Sequence, residues 1–374
     1  MIYVYYYSCI NIHILMCKTT YDEVKSDYHD QATKVNQVVA DYQKEYQAYL
    51  AKVAASGKDV VSSSQVVQQL TIQSEPQAKL EILNQKNISE IIRQENQTFN
   101  RTEEMGLGFR VESDTNDLSF TAVYSNLKNS TYHGKKIGKI AADVYVVNNN
   151  PKFNKTVFDI NHDPSYGFYV HNSTVSVNYR FYYEDGTQVN FDKGTAYLAV
   201  ASLNNYNNWR ASFGIETVEV VSGGQAIGLY GSSVTVHGNK LYSDKANSFD
   251  ANGHSLAVLE WGNLSSDDVV SNAKEITDTN IPDNWDTKNS SNRYYGAGLI
   301  ALDGKELSIK MYIQNDLAPA NLSRSNEYTG SWNGMWYNMG TVIPETPGIP
   351  NKPTVSYNYS TVAANRLISR KTSR

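Results

Sequence analysis

Val175-Ser-Val-Asn-Tyr-Arg-Phe-Tyr-Tyr183, followed by Glu184-Asp-Gly186 and then by Thr-Gln-Val-Asn-Phe-Asp192, decides the fold class. Val175, Val177, Tyr179 and Phe181 alternate with Ser176, Asn178, Arg180 and Tyr182. That two-residue period belongs to a strand with one face in a core and one in water. Glu-Asp-Gly is turn chemistry, so the run reads as one arm of a hairpin.

Working outward, similar runs recur at Phe109 to Val111, Leu118 to Ala122, Ile137 to Val147, Val157 to Ile160 and Tyr166 to Val170. They continue at Tyr197 to Ser202, Glu216 to Val221, Ser233 to His237, Ser255 to Leu259, Gly298 to Leu302 and Leu307 to Gln314. Turn residues separate them at Asn129-Ser130, Asn148 to Pro151 and Asp163-Pro164. No strand-helix-strand alternation runs through this stretch, so the expectation is a mainly β protein, an antiparallel sandwich with long decorated loops. Nearer the N-terminus, Ala78, Leu80 and Ile82 alternate like a strand, whereas Ile88, Ile91 and Ile92 suggest a short helix.

Between Tyr21 and Val53 the period changes. Tyr28, Val35, Tyr42 and Tyr49 form one heptad series, and Ala32, Val39, Tyr46 and Val53 a second. The reading is a long α-helix of roughly eight turns, either a stalk paired with another extended element or an amphipathic helix lying on the next domain. It ends near Ser56-Gly57. The expected organisation is an atypical N-terminal segment at 1–18, a stalk helix at 19–57, a β domain at 58–342, and a Pro-rich linker with a truncated tail at 343–374. The first 17 residues are apolar but lack the cationic start and cleavage site of an export signal, and are short for a membrane span. No membrane insertion is expected.

Of 374 residues 40% are hydrophobic and 19% charged, and the net charge of −5 gives no general basic surface for a nucleic-acid backbone. The 28 tyrosines among abundant Asn, Ser and Thr suit β-structure and wet, sugar-like ligands. The only two cysteines, Cys9 and Cys17, leave the compartment undecided. Nucleophile elbows, zinc-binding helix motifs, phosphate loops and CxxC pairs are all missing from the sequence, and the seven His residues show no ligating spacing. The expectation is a binding protein, not an enzyme.

Three loops offer binding chemistry. Asn204-Asn205-Tyr206-Asn207-Asn208-Trp209 sets an aromatic platform beside carboxamides, which fits the C–H faces and hydroxyls of a sugar or a plain Asn-rich turn. Between Ile281 and Tyr295, Trp285, Arg293, Tyr294 and Tyr295 accompany Asp283, Asn284, Asp286 and Asn289, oxygen ligands of the kind calcium accepts. Asp283 and Asp286 are the candidate metal ligands, with a solvated loop anchored by buried aromatics as the alternative. Trp332 and Trp336 lie in a Gly-rich stretch and either clamp a ligand or pack the core.

Five ordered blocks resemble the glucan-binding protein C and antigen I/II variable-region domain of Gram-positive surface adhesins. They are Tyr124 to Ile137, Asp163 to Phe168, Phe181 to Asp192, Ala199 to Asn204 and Tyr294 to Ile300. The resemblance covers about Thr71 to Pro353, and the Tyr heptads and Pro-rich stretch are similar to the family's helical stalk and its return segment. It implies a lectin-like antiparallel β-supersandwich, a monomeric domain carried at the cell surface or cell wall. Its relatives bind α-glucan or other polysaccharide, host glycoprotein or teichoic acid, and in enterococcal aggregation substance extracellular DNA, and their cleft holds a metal usually taken as calcium. Trp285-Asp286 and Arg293 to Gly296 match two family motifs, with Tyr294 in place of Trp. The expected function is a surface adhesin that holds a polymeric glycan; the alternative is an aggregation module that recognises a protein on a partner cell or extracellular DNA.

Overall fold

A computed structural model describes residues 2–94, 108–149, 155–171, 173–207, 213–245, 247, 281–286, 290–314, 334–356 and 358, with side chains described from Thr20 onward. The stretch that decides the fold class is a strand, Ser173–Tyr183, near the middle of a large sheet. Across that sheet the order is Val234–His237, Lys240–Ser243, Phe213–Ser222, Glu306–Gln314, Ser173–Tyr183, Lys135–Asn148, Asp117–Ser125 and Lys79–Lys86. Every pairing in it is antiparallel. The turn after Tyr183 closes as expected: Gly186 has φ 82°, and the Thr187 N–H donates to Asp185 Oδ1 at 2.8 Å.

Val175, Val177, Tyr179 and Phe181 all turn into the main core. Their neighbours Ala142, Val144 and Val146 on one side and Leu307, Ile309 and Met311 on the other extend the same apolar face. Each fully buried Val or Leu contributes roughly 1.5–3 kcal/mol. Against this face packs a five-stranded antiparallel sheet ordered Gly334–Tyr337, Phe168–His171, Thr156–Asn161, Gly108–Ser113 and Glu90–Gln94. Phe158, Ile160, Phe168, Met335 and Tyr337 are its core side chains. A third sheet of four strands, Val60–Val61, Gly224–Leu229, Gly298–Leu302 and Tyr197–Val200, completes the β unit, which spans Val53–Pro347. The sandwich is therefore mainly β as expected, with one parallel pairing, Val60–Val61 beside Gly228–Leu229.

Three expectations change. The Ile88 to Ile92 stretch is not helical: Glu90–Gln94 pairs with Gly108–Ser113, Ile91 meets the core, and Ile92 points outward at 36% exposure. Edge pairing overrides a local helical spacing there. The Pro-rich stretch is not all linker, because Thr346 is buried and shares hydrogen bonds with Ser62 and Ser63. The helix does not begin at 19 but runs Ile2–Ser56. The strand reading of Ser255 to Leu259 lies outside the described residues.

The helical unit, Met1–Lys52 with Gly348–Arg374, stands as a second body. Tyr28, Val35 and Tyr42 on the first heptad series are half-buried and Tyr49 is buried, while Val39 of the second series is exposed. Tyr42, Tyr46 and Tyr49 stack in sequence at 5.9 and 6.3 Å. The return segment partners this stripe. Gly348 lies beside Tyr49, and the Gln31 side chain accepts from the Asn358 N–H at 2.9 Å. Among the described residues no helix is long and apolar enough to cross a membrane.

Candidate functional site

After the strand Tyr197–Val200 the chain turns at Ser202, held at φ 61°, a left-handed conformation that costs a non-glycine residue roughly 1–2 kcal/mol. The turn aims Asn204 inward. Its backbone N–H donates to Glu216 Oε2 at 2.9 Å, and its Nδ2 donates to Asp286 Oδ2 at 3.1 Å and to the Ser202 carbonyl at 3.1 Å. The Glu216 N–H returns a bond to the Asn204 carbonyl. Asn204 thus joins the first loop to the second.

Asn205 points to the other side of the chain. Its N–H donates to Asn247 Oδ1 at 2.8 Å and its Nδ2 to the Ser243 carbonyl at 2.9 Å. Asn247, fully buried, also donates to the Leu203 carbonyl and to Ser233 Oγ, and its own carbonyl accepts the Trp285 indole N–H at 2.9 Å. Asn205 is therefore a structural residue, contrary to the ligand-contacting role expected of it. Tyr206 and Asn207 continue as the short strand Asn205–Asn207, and Asn208, Trp209 and Trp332 lie outside the described residues.

Trp285 is also corrected. Only 1% of it is exposed, and it lies edge-on to the buried Tyr295 at 5.8 Å. A ring that large and that deep supports the site from below and offers no face to a ligand. Gly296 makes room for it: a Cβ there would sit 1.8 Å from Trp285 Cζ3. Tyr294 is half-buried near the Gly231 turn, and Arg293 lies close enough to act on Asp286 through its charge.

Asp283 and Asp286 do not converge. Asp283 is exposed and its carbonyl accepts from Asn292 Nδ2, while Asp286 faces inward. Calcium wants roughly six to eight oxygens free of competing donors. Here the Asp286, Glu216 and Ser202 oxygens are engaged by Asn204, and a guanidinium stands nearby. No group of three His, Cys, Asp or Glu side chains among the described residues is placed to hold a metal. The described donors do not fit a calcium cage.

Burial pushes the Asp286 carboxyl above its ordinary value, against hydrogen bonds from Ser202 and Asn204 and the Arg293 charge. Part of its surface stays open, yet protein atoms crowd it enough for desolvation to win. A carboxyl whose pKa rises on folding contributes stability that is full below its unfolded value and is lost as pH climbs through the folded one. Asp286→Asn is therefore expected to flatten the decline in stability above about pH 4, read from melting temperatures across a pH series. An unchanged pH profile would count against this assignment.

A second group of residues completes the site, and the sequence reading singled out only Trp336 of it. Sheet register lines up Trp336, Tyr169, Asp159 and Arg110 across four strands of the smaller sheet. The Tyr169 and Trp336 rings lie 6.2 Å apart at 45°, both half-buried. Beside them Asp159, 1% exposed, takes both arms of Arg110, at 2.8 Å from Nε and 3.0 Å from the terminal nitrogen. Burial raises the Tyr169 pKa, and the nearby Glu216 and Asp159 charges raise it further. Tyr169 thus lies within electrostatic reach of both groups. The one available signal in the sequence was a charged residue between core residues, as in Phe109-Arg110-Val111 and Phe158-Asp159-Ile160.

Three other tyrosine faces are covered by lysines. Lys139 lies over Tyr182 at 4.1 Å, Lys135 over Tyr183 at 4.0 Å, and Lys310 over Tyr312 at 5.2 Å. These cation–π contacts occupy ring faces on the large sheet.

A model of the glucan-binding protein C family matches residues 53–340, well over half of the chain. The chain belongs to that family. Members of the glucan-binding protein C family and their structural relatives bind and adhere; they are not enzymes. The fold is similar to that of glucan-binding protein C of Streptococcus mutans, at 21% identity and TM-score 0.53, over 90% of this chain and 99% of that one. It is also similar to the adhesin domain of PrgB from Enterococcus faecalis, at 17% identity and TM-score 0.52, over 74% of this chain and 90% of that one. The same PrgB domain bound to DNA matches at 15% identity and TM-score 0.50, over 75% and 97%.

Proposed function

We propose that this glucan-binding protein C domain acts as a surface adhesin that holds a neutral polymeric glycan on the Tyr169–Trp336 pair, outside a Gram-positive cell. The observation that carries the reading is that half-buried aromatic pair beside a polar floor locked by hydrogen bonds. Sugar rings present C–H faces to aromatic rings and hydroxyls to fixed polar groups. Glucan binding named for the family and adherence named for the S. mutans protein support it.

The PrgB domain has been seen with DNA, but three carboxylates, Glu216, Asp159 and Asp286, gather here against two guanidiniums. That balance disfavours a phosphate backbone at this place. Trp336→Ala is expected to weaken binding to an immobilised α-glucan about tenfold or more, a loss of roughly 1.4 kcal/mol. Tyr145→Ala, on the exposed face of the large sheet, should leave it unchanged. Equal retention by both variants, or binding only to DNA or to a protein ligand, would overturn the reading.

A further inference from the structure

Directly behind the aromatic pair, the core contains an unusual polar group. Tyr337 follows Trp336 on the same strand, points the opposite way, and is 2% exposed. Its hydroxyl has no hydrogen-bond partner among the described residues. A buried hydroxyl left unpaired is expensive, and such groups in native proteins usually find a water.

The surroundings suit one. Two more phenols, Tyr124 and Tyr179, are buried in the same core, each 3% exposed. They come from two strands of the large sheet, whereas Tyr337 comes from the small sheet packed against it. On the large sheet the register places Ala142 and then Ala122 beside Tyr179, while Tyr124 lies one pair further along, opposite Ile140. The three phenols are near neighbours electrically as well: the charged forms of Tyr337 and Tyr124 each oppose ionisation of Tyr179, and Asp163 acts likewise on Tyr124.

We infer that an ordered internal water bridges the Tyr337 and Tyr179 hydroxyls, with Tyr124 at its edge, and pins the Trp336 strand to the large sheet. A site of this kind needs two to four polar partners, roughly, and a gap of about one water. Phenols supply both donors and acceptors. Because the water would lie on the core side of the strand that carries Trp336, it would fix the height of the aromatic platform without touching the glycan. This site is independent of what the platform binds.

Tyr337→Phe separates the possibilities by sign. If water bridges the hydroxyls, removing one partner should lower the melting temperature by about 2–4 °C. Tyr179→Phe should do the same, and the double variant should lose less than the sum, because the two share one water. A dry, unpaired hydroxyl predicts the reverse, a melting temperature unchanged or raised by Tyr337→Phe, and either result overturns the inference. A high-resolution crystal structure of the unaltered protein should show a water about 2.7–3.2 Å from Tyr337 Oη. An empty gap there overturns the inference whatever the melting data say.

Discussion

Trp285→Ala is expected to destabilise the β unit by about 3–5 kcal/mol, the usual consequence of emptying a buried indole site. Several losses coincide. The ring is 1% exposed, its N–H holds the Asn247 carbonyl at 2.9 Å, and its edge meets Tyr295 at 5.8 Å. Asn247 in turn positions Leu203 and Asn205, so the void would loosen the loop that aims Asn204 at Asp286. Glycan binding by this variant should fall too, but through loss of order and not through a deleted contact. Gly296→Ala approaches the same spot from outside, because its new methyl must displace the indole. Chemical denaturation checks both variants. A Trp285→Ala protein within about 1 kcal/mol of its parent would show that the indole is not packed as described.

Much of the fold could be read before any coordinates. Strands such as Ser173–Tyr183 and Glu306–Gln314 alternate cleanly because one face meets the core and the other water, and water imposes the polar half of the pattern. Gly224–Leu229 shows no such pattern in Gly-Gln-Ala-Ile-Gly-Leu. Its first glycine is there for closeness: a Cβ on Gly224 would meet the Ala301 carbonyl at 2.7 Å. Tight backbone approach leaves no periodic trace, so that strand was missed.

The site divided along similar lines. Trp285 and Asp286 stand out in an aromatic, Asp- and Asn-rich loop that also matches a family motif, and neither signal could tell a buried support from an exposed platform. Tyr169, Asp159 and Arg110 went unnoticed because nothing local marks them. Arg110 and Asp159 are 49 residues apart, and only the register between two strands brings them within 2.8 Å. A bidentate pair with one partner fully buried is a product of sheet pairing.

Glu75→Ala should be about as damaging as the loss of Trp285, at roughly 3 kcal/mol or more. Glu75 is 1% exposed in an irregular segment, a place where a carboxylate would normally be solvated. Its two oxygens instead accept the backbone N–H groups of Lys128 at 2.6 Å and Asn129 at 2.8 Å, and the Ser130 hydroxyl at 2.8 Å. Its own N–H is held by Asp163, whose carboxylate also receives Ser74 and Ser165. Two buried acids therefore do the work that a strand ladder would do elsewhere, tying the 74–76 segment to the 127–131 turn and to the Asp163 turn. Removing the Glu75 side chain strands three donors at once, each worth about 1–3 kcal/mol when left buried and unpaired. Glu75→Gln keeps one acceptor but turns an amide N–H toward a backbone N–H, so an intermediate loss is expected. Because the Glu75 backbone N–H donates to Asp163, the two carboxylates hold the same short segment, and a double-mutant cycle should show coupling of about 0.5–3 kcal/mol. Strict additivity in that cycle would mean that the two carboxylates act separately, and that the segment is held by something other than the paired acids.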